Sequence, residues 1–95
     1  MRIDTNRRME GQMDSETRVA VISIIVENPD AVPEVNRILH EGSGFIIGRM
    51  GIPYRARKIN IISIVLDAPQ PVISGISGKL GTIDGVSVKT AYSNI

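Results

Sequence analysis

The side chains able to do chemistry are few. His40 is the only histidine among the 95 residues, and there is no cysteine. A general base or a metal ligand needs a partner, and Glu41 is the only one beside it in sequence. Near the end of a helix, a lone histidine reads as a solvated residue or one stabilised by the helix dipole. Many serines and one histidine give no Ser-His-Asp arrangement. The run GSGFIIG, residues 42–48, has the wrong spacing for a dinucleotide loop and follows a helix instead of opening one. SGISGKLG, residues 74–81, holds a Gly-Lys pair, but Leu80 stands where a phosphate-binding loop needs Ser or Thr. The sequence therefore names no catalytic residue, no metal ligand and no cofactor.

Two features keep a binding role open. In the turn ENPD, residues 27–30, Asn28 and Asp30 can cap the following helix, or Asn28 and the first backbone amides can receive a carboxylate or another anion. Capping is the commoner use of these residues. Further on, Arg49, Arg55, Arg57 and Lys58 cluster between two apolar runs. Arg49 sits inside a strand, where a guanidinium can pair with a carboxylate across an interface or hold an anionic ligand. Arg55, Arg57 and Lys58 belong to a turn and read as solvated charges that protect a sheet edge. The candidate ligand-binding set is Asn28, Asp30 and Arg49.

The elements that must position these residues follow from periodicity. RVAVISIIVE, from Arg18, is apolar on both alternating sets and reads as a central strand covered on both sides. A helix follows, with Asp30 as N-cap, Pro33 in its first turn, Val32, Val35, Ile38 and Leu39 at helical spacing, and Gly42 as its stop. GFIIGRMGI is a weaker strand broken by Gly48 and Gly51, suited to an edge, with the turn beginning at Pro53 and Tyr54. INIISIVLD is again doubly apolar. A second helix carries Val72, Ile73, Ile76 and Leu80 and stops at Gly81, weakened by Gly75 and Gly78 unless these permit close approach. After the turn at Asp84 and Gly85, Val86, Val88, Thr90 and Tyr92 alternate with polar or small residues as in a half-exposed edge strand.

The order strand, helix, strand, strand, helix, strand predicts an α+β, ferredoxin-like βαββαβ fold: a four-stranded antiparallel sheet with both helices on one face. The first and third strands then lie in the centre, where the two doubly apolar runs belong. The sets holding Ser23 and Ser63, namely Val19, Val21, Ile25 and Ile59, Ile61, Val65, are expected on the face without helices. An exposed apolar face of that size calls for a homo-oligomer, most simply a two-fold dimer.

Composition sets the outer bounds. The chain is 42% apolar with a net charge of +1, which fits one globular domain and argues against a strongly basic nucleic-acid binder. Direct nucleic-acid binding is disfavoured. No apolar stretch approaches the length of a membrane span and the N-terminus lacks the apolar centre of a signal peptide, so a cytoplasmic protein with no membrane partner is expected. Residues 1–16 read as a mobile polar leader with alternative starts at Met9 and Met13, and residues 17–95 as the domain.

IIVENPDAVPEVNRIL, IIGRMGIPYR, GISGKLGTIDGVSVKT and the terminal AYS carry a resemblance that spans Arg18 to Ser93. They resemble the small ACT-like regulator family associated with iron-only hydrogenase systems. The resemblance implies an ACT-like fold, oligomerisation to a dimer or tetramer, and a regulatory role, transcriptional regulation included. It supplies no catalytic residues. Nickel regulators with a similar ACT-like domain use several histidines and a cysteine, a pattern from which this chain departs.

Two functional readings stand side by side. One is a non-enzymatic oligomeric regulator that binds a small-molecule effector or a protein partner. The other is a protein-interaction or assembly module whose sheet edges recruit a partner and which takes no metabolite. A small ferredoxin-like enzyme is disfavoured by the single histidine, the missing cysteine and only three aromatic residues, two Tyr and one Phe.

Overall fold

The computed structural model describes residues 16–95; the expected leader lies, but for Glu16, outside the described residues. Four strands and two helices follow in the order β1 (Thr17–Val26), α1 (Val32–Glu41), β2 (Ile46–Tyr54), β3 (Ile59–Pro69), α2 (Gln70–Gly81) and β4 (Val86–Tyr92). The sheet order is β2-β3-β1-β4 and every pairing is antiparallel. The expected βαββαβ arrangement is therefore present, with the two doubly apolar runs at the centre.

Side-chain alternation sorts the two faces. Ala20, Ile22, Ile24 and Val26 of β1 and Ile62, Ile64, Leu66 and Ala68 of β3 are buried under the helices, together with Val35, Ile38 and Leu39 of α1 and Ile73, Ile76 and Leu80 of α2. Each large side chain buried this fully stabilises the fold by roughly 1.5–3 kcal/mol. The opposite set is organised by register: Ser23 of β1 faces Ser63 of β3, which faces Met50 of β2 on its other side. Around that row lie Val21 opposite Val65, Ile25 opposite Ile61, and Ile61 opposite Ile52. Among the described residues no helix covers this face.

Local details depart from the sequence reading in three places. Asn28, rather than Asp30, is the cap: its Oδ1 accepts from the Asp30 amide at 3.1 Å and closes a 3-10 turn, Pro29–Ala31, that leads into α1. A proline at position 29 and an Asx side chain just before it favour that tighter entry. Pro53 and Tyr54 remain in β2, paired with Asn60 and Ile59, because an edge strand tolerates a residue with no N–H to donate. The hairpin turn comes later, at Arg55–Arg57, and closes with Lys58 in the left-handed region at φ 58.

Gly42 ends α1 without a positive φ. A Cβ there would meet Ile76 Cδ1 at 2.8 Å, so the end of the Ile76 side chain rests against the C-cap of α1. Gly75 and Gly78 have open space where a Cβ would be, so neither is demanded by close packing.

Candidate functional site

The three residues singled out in the sequence are not brought together. Asn28 and Asp30 belong to the β1–α1 turn, where Asn28 serves as the cap and abuts Gly85 of the α2–β4 turn. The Glu27 amide also donates to the Gly85 carbonyl at 2.7 Å. The turn is thus occupied by its own packing. Arg55, Arg57 and Lys58 are exposed in the hairpin turn, as expected for solvated charges.

Arg49 has a different setting. In register it faces Ile64 of β3, a buried residue, which places it on the helix-bearing face of the sheet. From this edge strand its Nη2 donates to Asn36 Oδ1 on α1 at 2.7 Å. Between them α1 and β2 enclose a cleft of about 260 Å³. Its apolar walls are Val32, Pro53 and Ile62, with Asn36, Arg49 and Asn60 as polar groups. Gly51 lies on the same face, opposite Ile62, and its lack of a side chain leaves the space open. The side-chain amide of Asn60 has no hydrogen-bond partner among the described residues, nor do the remaining N–H groups of Arg49. One cation, two amides, an apolar wall and no carboxylate make up this site.

Asn36 and Asn60 were missed in the sequence. Asn36 lies on the exposed side of α1 and Asn60 begins a strand, positions where an amide is unremarkable. The only signal was Arg49 itself, whose partner had to come from elsewhere in the fold.

A second hollow of about 280 Å³ lies between the helices and includes Ile38, Phe45, Val72 and Ile76. Glu41 and Lys79 meet at its rim, 3.8 Å apart, and offset each other's charge. Among the described residues no three His, Cys, Asp or Glu side chains group so as to hold a metal ion. Nor, among them, is any helix long and apolar enough to cross a membrane.

Residues 18–90 match the family model described as "TM1266-like: Iron-only hydrogenase system regulator, putative". The chain belongs to this family. Its structure is similar to that of the uncharacterized protein TM1266 from Thermotoga maritima, with 40% identity, a TM-score of 0.78, and 81% of this chain and 98% of that one covered. A formyltetrahydrofolate deformylase from Pseudomonas putida KT2440 is similar over 81% of this chain but 29% of its own, at 12% identity and a TM-score of 0.60. That likeness shows the fold alone, an ACT-like ferredoxin-type α+β domain. No curated protein sequence is significantly similar to this one.

Proposed function

We propose that the protein is a non-enzymatic, oligomeric regulator of an iron-only hydrogenase system, in which a second copy covers the helix-free face of the sheet and a small ligand or protein partner biases the arrangement of subunits. Membership of the regulator family supports the role. The apolar face carries the rest: Ile25, Met50, Ile52 and Tyr54 are 40–53% exposed on one side of the sheet, next to Ile61 and Val65. A monomer would leave this contiguous patch in water.

Charge favours a second copy as the cover. Lys89 faces Ser23 from β4, and Asp67 faces Val19 from β3, so the two charges lie on the same face, Lys89 in its central row and Asp67 toward one end of β3. A two-fold axis in the contact plane, running obliquely to the strands, can bring Lys89 of each copy toward Asp67 of the other, the self-complementary pattern of an isologous contact. The test is mass in solution by native mass spectrometry or sedimentation. A multimer is expected, and Ile61→Lys should reduce it to a folded monomer. A wild-type protein that is monomeric at micromolar concentration would sink the reading.

A second reading, an assembly module without a metabolite, is favoured by the exposure of nearly all of β2 along the sheet edge. A peptide added to that edge would protect β2 amides from hydrogen exchange and leave Ile25 and Ile61 exposed.

A further inference from the structure

We propose that the α1–β2 cleft is a binding site for a short, branched aliphatic monocarboxylate that carries no amino group. Such binding would give the regulator its effector, and it rests on that reading for its purpose though not for its chemistry.

The ligand class follows from the lining. Arg49 spends one N–H on Asn36, and a guanidinium has five in a planar fork suited to the two oxygens of a carboxylate. Asn60, whose side chain is without a partner among the described residues, can donate to the same group or to an oxygen next to it, as in a 2-oxo acid. Among the described residues only one cation lines the cleft, which matches a monoanion better than a phosphate dianion. Val32, Pro53 and Ile62 offer the aliphatic body an apolar wall. Among the described residues no Asp or Glu lines the cleft, and Asn36 Oδ1 is already engaged by Arg49. An ammonium group would therefore be desolvated without a counter-charge, which disfavours an amino acid.

Size agrees. At about 260 Å³ the cleft lies below the usual range for drug-sized ligands, and it suits a molecule of a few carbons. The turn at Asn28 is a poorer site, since its amide oxygen is committed to the Asp30 amide and Gly85 presses against it.

The experiment is a ¹H–¹⁵N correlation titration of the full chain with 3-methylbutanoate, 4-methyl-2-oxopentanoate and leucine, with solution mass measured on the same samples. Saturable shifts are expected at Asn36, Arg49, Gly51 and Asn60 with either acid, and binding of leucine should be weaker by about tenfold or more, as for the loss of a well-paired charge. Arg49→Gln should weaken both acids to a similar degree. Asn36→Asp should do so without a change of shape, because its carboxylate would take the guanidinium for itself. Absence of saturable shifts with both acids at millimolar concentration, shifts confined to the Asn28 turn, or leucine binding as tightly as the acids would each overturn the assignment. A multimer that binds neither acid removes the ligand site and leaves the regulator reading. A monomer that binds them removes the oligomeric regulator and leaves the site.

Discussion

Gly85 and Asn28 interlock: a Cβ built on Gly85 would stand 2.7 Å from Cβ of Asn28 and 3.3 Å from its backbone nitrogen. Gly85 also holds φ at +80, where an L side chain is strained. The contact joins the α2–β4 turn to the start of α1, so the two halves of the repeat are locked at the loop where the first helix begins. Gly85→Ala should cost about 1–3 kcal/mol, read from urea unfolding, through strain and displacement of the cap together. A loss of a few tenths would show that the turn yields freely.

Gly42 and Ile76 should behave as a coupled pair. Gly42→Ala forces Ile76 Cδ1, the end of its side chain, to move and should cost about 1 kcal/mol or less, the low end of overpacking. Ile76→Val alone removes a buried methyl at a cost of about 1 kcal/mol. In the double variant the new methyl fills the space left by the old one, so its loss should be smaller than the sum of the two. Strict additivity in the double-mutant cycle would refute the close approach.

Arg37 on α1 binds Glu34 at 2.7 and 2.8 Å and also pairs with Glu41. The hydrogen bond from Arg37 holds the Glu34 carboxyl below its ordinary 4.5, with burial opposing slightly and the charge of Arg37 adding to the effect. A depressed carboxylate stabilises the folded state above its unfolded pKa, and that contribution fades as pH falls through the lower folded value. Wild type should therefore exceed Arg37→Met in stability at neutral pH, with the gap closing as the solution is acidified below 4.5. High salt should narrow it too, since the pair is exposed. A gap that is independent of pH would assign the effect to packing of the arginine stem.

At the other end of the domain, the Arg18 guanidinium lies 4.3 Å from the centroid of Tyr92 and donates to Gln70 Oε1 at 2.7 Å. Gln70 Nε2 in turn donates to Tyr92 Oη at 2.9 Å. This triangle ties the beginnings of β1 and α2 to the end of β4. Arg18→Met should cost about 0.5–1 kcal/mol and Tyr92→Leu somewhat more, with the two effects non-additive. Increased hydrogen exchange near Ser93, whose amide bonds Val19 O, would accompany either change.

Charge reversal tests the sheet contact without altering its apolar centre. Lys89→Asp should weaken self-association, and adding Asp67→Lys should restore it, with equilibrium sedimentation as the readout. If the double variant dissociates further than the single one, the two charges do not meet.

The topology and the two faces were legible because they rest on patterns the chain states outright: runs apolar on both alternations can only be central strands, and a serine in one alternation marks the less covered side. Ser23 opposite Ser63 shows how closely that pattern follows the register. The cap was misread by two residues because Asn and Asp are equivalent cap formers, and only the entry through Pro29 decides between them. Gly42 is the stop that the sequence suggests, and the approach of Ile76 from 34 positions away is a second contact at that position that no local spacing records. The cleft stayed hidden for the same reason. Arg49 could be suspected from its place inside a strand, but Asn36 and Asn60 reach it only through the crossing of helix over sheet, which no local spacing records.

The outer rail of β2 has a further consequence. Pro53 has no N–H to give a neighbouring strand, and the slip of register between Ile46 and Gly48 breaks the regular ladder near its other end. A strand interrupted at both ends is a poor template for fibril growth, so copies cannot zip together edge to edge without limit. Self-association is left to the flat of the sheet and to the β4 edge, each used up once covered, and a chain this rich in isoleucine and valine can remain a particle of fixed size even when crowded.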